Sequence, residues 1–213
     1  DVDEDSTISS DIFLADNASM DLATDKMLTV KESFEIPQIL KLEMVGEGGG
    51  ILNLDNTLKL TGTLQFSAPD YTLENGTLEL NDGSLLDVDY HTIIDSDIVL
   101  LGNTTVDVAQ GVSLEYRGDT IDLLNYQLTF LGSGTFLNTN AILLSDSGSL
   151  LILAGDITIV LIEVTGNSAA GKGIRVESGG AKVVNLNFSA KDPALANMGL
   201  PFRDDTSSLE VEN

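Results

Sequence analysis

Residues 75–88 have the sequence Asn-Gly-Thr-Leu-Glu-Leu-Asn-Asp-Gly-Ser-Leu-Leu-Asp-Val, in which apolar and polar side chains alternate and Gly interrupts the pattern. A similar pattern returns in residues 103–116, which read Asn-Thr-Thr-Val-Asp-Val-Ala-Gln-Gly-Val-Ser-Leu-Glu-Tyr. Alternation with a period of two places one set of side chains on one face of a strand. The two stretches therefore predict short, half-buried strands separated by tight turns.

Further repeats extend this pattern along the chain. Gly102 to Leu123 resembles Gly132 to Leu153, and on the N-terminal side residues 50–54 resemble residues 76–80. A repeat of roughly 24–30 residues with three short strands and Gly, Asn or Asp at its corners is typical of one coil of a parallel β-helix. We therefore expect an all-β parallel β-helix. A β-sandwich or jelly roll is the alternative, because Asn75-Gly76 and Asp82-Gly83 are dipeptides that favour hairpins.

The choice of apolar residues also favours a solenoid. The chain has 33 Leu against 11 Phe plus Tyr, and it has no Trp. A narrow core stacked from repeated layers favours medium-sized aliphatic side chains, whereas a sandwich uses more aromatic residues to fill the space between its sheets. A leucine-rich repeat would need a regular Asn or Cys ladder, which the sequence lacks.

The net charge excludes several classes of partner. With 34 Asp plus Glu against 10 Lys plus Arg, the formal net charge is −24, which repels nucleic acids and anionic lipid headgroups. The absence of Cys excludes disulfides, thiol catalysis and Cys-based metal sites. The longest apolar stretch, residues 150–164, contains Asp156 and Glu163 and is shorter than the roughly 20 residues of a membrane-spanning helix. We therefore expect no nucleic acid partner and no membrane span.

The pattern predicts a single domain over residues 1–213. Residues 1–25 are expected to form an N-terminal cap or first coil, and residues 26–165 the repeated coils. Residues 166–213 are expected to hold C-terminal strands, a short helical turn and a polar tail. The helical turn is placed at residues 192–199, because Asp192 can cap a helix, Pro193 suits its first turn and Gly199 can end it.

The Gly-Thr-Leu-x-Leu and Gly-x-x-Leu-x-Val segments between about Lys26 and Leu153 resemble the right-handed parallel β-helix proteins of the pectin-lyase-like superfold. Within that superfold they are most similar to the adhesin and autotransporter-passenger type, which implies an extracellular or cell-surface location. Other members are polysaccharide lyases and hydrolases. The related polygalacturonases use paired Asp residues near a Gly-His-Gly, but the only histidine here, His91, has no flanking Gly. We therefore expect a protein that is not an enzyme.

The combined observations favour a non-enzymatic structural module, either an adhesin stalk or a self-assembling fibre subunit that forms a homo-oligomer or filament. In residues 150–164 the alternation fails, so a strand there needs cover on both faces. The cover is either the C-terminal segment or a second subunit, since the ends of a β-helix must be capped. The predicted interface residues are Leu151, Leu153, Ile157, Ile159 and Leu161.

Two pairs of Asp residues are candidate ligands of a divalent cation. Asp87 and Asp89 form one pair, Asp95 and Asp97 the other, and each pair places two carboxylates on one face of an extended strand. Calcium is the possible ion, because Ca²⁺ prefers oxygen ligands. No cofactor is required by the sequence, and the specific calcium-loop motifs are absent.

The alternative function is a carbohydrate-binding or carbohydrate-cleaving β-helix that uses these Asp pairs on a glycan or host-surface ligand. Sugar sites usually employ aromatic platforms, and the chain has no Trp and 4 Tyr. If neighbouring coils bring Tyr90 and Tyr116 together, they would form a short stacking strip.

Overall fold

A computed structural model describes residues 1–146, 148–165, 173–189 and 208–212, which form 23 strands and no helix. The strands in chain order are β1 (Ser6–Ile8), β2 (Ile12–Phe13), β3 (Ala18–Asp21), β4 (Met27–Val30), β5 (Phe34–Ile36), β6 (Lys41–Val45), β7 (Ile51–Leu54), β8 (Thr57–Leu60), β9 (Thr63–Phe66), β10 (Tyr71–Leu80), β11 (Ser84–Val88), β12 (Thr92–Leu100), β13 (Thr104–Val108), β14 (Ser113–Tyr116), β15 (Ile121–Asp122), β16 (Gln127–Gly132), β17 (Thr135–Asn138), β18 (Ile142–Leu143), β19 (Leu150–Gly155), β20 (Thr158–Thr165), β21 (Gly173–Ser178), β22 (Gly180–Ser189) and β23 (Ser208–Glu212).

The strands stack in three columns, and each coil adds one strand to each column. The first column begins β1, β4, β7, the second begins β2, β5, β8, and the third runs β3, β6, β9, β11, β13, β16, β19, β21. The long strands β10, β12, β20 and β22 bend and contribute to both the first and the second column. Every strand pairing described is parallel, which confirms the parallel β-helix and overturns the jelly-roll alternative.

The dipeptide that favoured a hairpin makes a corner instead. Asn75 and Gly76 both have left-handed backbone angles, with φ of 58° and 51°. They lie inside β10, where the register with β12 shifts between Glu74 and Thr77. Two successive left-handed residues bend the chain from the first column into the second without reversing its direction.

Most coils are shorter than the sequence repeats suggested. The sequence distance between hydrogen-bonded side chains on successive coils gives the local coil length. It is 24 residues for Thr29–Asn53, 22 residues for Asn53–Asn75 and 20 residues for Ser84–Thr104. The sequence repeats are longer because they align strands of different columns. Leu78, in the second-column part of β10, was matched to Val106 on β13 of the third column. Alternation and Gly turns recur in all three columns, so the sequence alone does not distinguish a match within one column from a match between two columns.

Inward-facing side chains form one continuous core along the columns. Leu114, Phe136, Ile159 and Val183 lie in register on successive coils, and each is at most 1% exposed. Burial of one such side chain contributes about 1.5–3 kcal/mol relative to exposure. The core is therefore built coil by coil from neighbours one turn of the solenoid apart, and this stacking sets which outer side chains meet.

Strands continue on both sides of the central coils. Residues 1–25 contain β1, β2 and β3 of the first coil, and β21, β22 and β23 extend the columns beyond residue 165. The helical turn predicted at residues 192–199 lies outside the described residues. Within the part of the chain that the structure describes, no helix is long and apolar enough to cross a bilayer.

Candidate functional site

A row of polar side chains crosses the outer face of the third column. It consists of Glu43 on β6, Gln65 on β9, Asp87 on β11 and Asp107 on β13, which are direct partners on neighbouring strands. We call these four residues the polar row. Their alternation with buried residues such as Leu86 and Val106 points them away from the core. Because adjacent parallel strands lie about 4.8 Å apart, the row brings together residues that are distant in sequence.

One end of the polar row is held by hydrogen bonds. The ammonium Nζ of Lys41 donates to Glu43 Oε2 at 3.1 Å and to Gln65 Oε1 at 2.8 Å. The hydroxyl of Ser67 donates to Glu43 Oε1 at 2.8 Å, and Gln65 Nε2 donates to Asp89 Oδ2 at 2.8 Å. Lys41 and Gln65 therefore connect the Glu43 end of the row to the Asp89 carboxylate.

The other end of the row carries carboxyl groups that are harder to ionise. Burial raises the pKa of Asp87, and the negative charges of Asp89 and Asp107 raise it further. Burial also raises the pKa of Asp107, again with a contribution from Asp89. By contrast, the hydrogen bonds from Ser67 and Lys41 lower the pKa of Glu43. The row thus combines an ion-paired carboxylate with two carboxyl groups that retain their protons to higher pH.

The four Asp residues predicted as cation ligands lie in two separate places. Asp87 and Asp89 lie at the third column, whereas Asp95 and Asp97 lie at the exposed bend of β12 between the first and second columns. At that bend Asp97 Oδ1 accepts a hydrogen bond from the backbone N–H of Asp119 at 3.0 Å. Within the described ranges, no group of three or more carboxylate or histidine side chains is arranged to hold a metal ion.

The predicted interface residues belong mainly to the core of the chain itself. Leu150 and Ile152, on the outer face of β19, are 1% and 4% exposed, so the expected cover on both faces of this strand is present. Leu161 is partly buried at a corner where its φ is 68°. The remaining four side chains are fully buried and are not free to contact a second subunit, which corrects the expectation for Leu151, Leu153, Ile157 and Ile159.

The two tyrosines considered for sugar stacking do not form a strip. Tyr116 is fully buried, and its hydroxyl accepts a hydrogen bond from the backbone N–H of Ile98 at 3.1 Å. Burial raises its pKa to about 12. Tyr90 is half-exposed at a corner. The single histidine has a structural contact, since His91 Nδ1 lies 2.7 Å from the hydroxyl of Ser113 on the next coil.

Sequence reasoning found Asp87 but missed its neighbours in the polar row. Glu43, Gln65, Asp87 and Asp107 follow one another at intervals of one local coil length. A periodicity search for polar residues at that spacing is the signal that would have found them. The chain matches no protein-family model, and comparison with the curated proteins and with the solved structures finds no similar protein.

Proposed function

We propose that the chain is a non-enzymatic structural module of an extracellular or cell-surface protein, an adhesin stalk or a fibre subunit. The observation that carries this proposal is the unbroken parallel pairing of eight strands in the third column. Strands spaced about 4.8 Å apart give this column a length of roughly 35 Å, and each coil is supported by its neighbours. Such stacking supplies length and rigidity, while the acidic outer residues keep the solenoid soluble.

Self-assembly of this module is supported by the first coil. The inward apolar side chains of Ile8, Ile12 and Met20 are only partly buried, although they pack against the core. Strands β1 and β2 each pair with one neighbouring strand, which leaves one backbone edge of each without a described partner. The corresponding edge of β3 is covered only at its end, where the backbone of Val2 pairs beside Leu22. An open edge above an apolar end is the surface on which a second copy can add a coil.

Light scattering and small-angle X-ray scattering together test the proposal. We expect an elongated particle whose mass rises with protein concentration, and a Met20→Glu variant that stays monomeric. Asp119→Asn, at an exposed corner between β14 and β15, serves as the matched control and should assemble like the parent chain. A strict monomer at high concentration would contradict assembly, and a compact, flexible particle would contradict the stalk.

A second candidate function is carbohydrate binding or cleavage at the polar row. It is favoured by the raised pKa values of Asp87 and Asp107 beside the amide of Gln65. Carboxyl groups with raised pKa values can donate protons, and amides and carboxylates bind sugar hydroxyls. A glycan array tests this function. Binding that is lost in Asp87→Asn and kept in Glu47→Gln would support it, and an array without hits would reject it.

A further inference from the structure

A shallow cavity of about 380 Å³ lies on the outside of the second column near the first coil. At this position Phe13 is 63% exposed, although Phe is among the residue types most often buried in folded proteins. The cavity is lined by Asp11, Ile12, Phe13, Ser33, Glu35 and Lys59.

The strand register places acidic groups around the ring of Phe13. Asp11 precedes Phe13 by two positions in an extended segment and is exposed on the same side of the chain. On the next coil Glu35 is the direct partner of Phe13. The carboxylate of Asp11 already accepts one hydrogen bond, from the backbone N–H of Ser33 at 3.1 Å, which fixes it at the edge of the cavity. The ring is thus flanked by two carboxylates from different coils.

The lysine of the cavity lies between two carboxylates of the second column, one of which is that of Glu35. Lys59 is the direct strand partner of Glu35 on one side and of Glu79 on the other. Opposite charges on neighbouring strands attract each other, so this ammonium is balanced within the column. Lys59 is a strand partner of Glu35 but not of Asp11. Of the two carboxylates beside Phe13, the charge of Asp11 is therefore the less neutralised.

We propose that this cavity binds the guanidinium group of an arginine side chain presented by a basic partner polypeptide. The face of an aromatic ring attracts cations, and Arg stacks on aromatic rings more often than Lys does. Carboxylates such as those of Asp11 and Glu35 accept hydrogen bonds from the planar guanidinium. The net charge of −24 draws cationic partners to the surface, and the ring and the two carboxylates localise them here. This inference names a partner chemistry and does not depend on self-assembly.

The test is an NMR titration of ¹⁵N-labelled protein with N-acetyl-arginine amide near physiological salt, with N-acetyl-citrulline amide as the neutral analogue. We expect saturable shifts confined to the backbone amides around Phe13 and Glu35, and only with the arginine compound. Phe13→Leu should weaken binding about 2–5-fold, because it keeps an apolar side chain and removes the ring. Asp11→Asn should also weaken it.

Two matched controls keep the test specific. Glu47→Gln removes an exposed acid elsewhere, and Tyr90→Leu removes another exposed ring, so neither should change the affinity. Because Phe13 is mostly exposed, circular dichroism should show an unchanged fold in Phe13→Leu. The proposal is overturned if the shifts spread evenly over the acidic surface, if citrulline binds as well as arginine, or if Phe13→Leu binds like the parent chain.

Discussion

Asp87 and Asp107 are direct partners on neighbouring strands, and both carry a carboxyl group whose pKa is raised mainly by burial. The charge of Asp89 raises the pKa of both groups further. Like charges opposite each other on adjacent strands destabilise a sheet. Ionisation of these carboxyl groups at neutral pH therefore lowers the free energy of unfolding, and the groups concerned belong to the polar row.

Asp107→Asn is expected to raise the free energy of unfolding at pH 7. Because the folded pKa of Asp107 lies above its unfolded value, ionisation costs stability at neutral pH, and this cost disappears as the pH falls below the unfolded value. The gain of the variant should therefore shrink towards zero near about pH 3. Urea unfolding at several pH values measures the difference.

Glu115→Gln is the control of opposite sign. The hydrogen bond from Arg117 lowers the pKa of Glu115, so its ionised form stabilises the fold above the unfolded pKa, and this contribution is lost as the pH falls. This variant should be slightly less stable than the parent chain at pH 7. If Asp107→Asn behaved in the same way, the like-charge account of the polar row would be wrong.

Ser96→Ala is expected to leave stability unchanged or to increase it by about 1 kcal/mol. The hydroxyl of Ser96 is fully buried and has no hydrogen-bond partner among the described residues, which is costly. Ser84 is the matched control, because its hydroxyl is also buried but lies 2.9 Å from that of Thr104. Ser84→Ala should lower the free energy of unfolding by about 1 kcal/mol. Chemical denaturation that destabilised both variants equally would contradict this assignment.

The class of fold was predictable because alternation acts within each strand. Leu78 and Leu80 alternate with Thr77 and Glu79, and that pattern alone requires a half-buried strand. The register between coils was not predictable in the same way. Leu78 stacks on Ile98 of the next coil. The sequence around Leu78, however, resembles the third-column sequence around Val106 more closely than it resembles the sequence around Ile98. Only side-chain packing across coils distinguishes such alignments.

The candidate site was predictable only in part, for the same reason. Asp87 and Asp89 are close in sequence, so their shared face follows from the strand period. Gln65 and Asp107 join them only through the register of neighbouring coils. Leu151 and Leu153 were assigned to an interface because residues around them are apolar on both faces, but the inward set of such a run fills the core first.

Tyr116→Phe is expected to lower the free energy of unfolding by about 1–3 kcal/mol. The hydroxyl of Tyr116 accepts a hydrogen bond from the backbone N–H of Ile98, in a part of β12 that does not pair with β15. Removing the hydroxyl leaves that buried N–H without its acceptor. Tyr126→Phe is the control, because Tyr126 packs partly buried against the core without a hydrogen bond from its hydroxyl among the described residues. Thermal unfolding of both variants checks the prediction, and equal stabilities would contradict it.

Gly76→Ala is expected to destabilise the corner of β10 much more than Gly83→Ala destabilises the turn before β11. Both glycines have left-handed backbones, with φ of 51° and 80°, so both variants carry the conformational cost of about 1–2 kcal/mol. A Cβ at Gly76 would also lie 2.1 Å from the carbonyl oxygen of Asn56, whereas a Cβ at Gly83 meets nothing within 4 Å. The backbone of Asn56 belongs to the preceding coil and cannot yield without disturbing the stacking. Denaturation curves should therefore show a clearly larger loss for Gly76→Ala, and equal losses would mean that close coil stacking does not limit this corner.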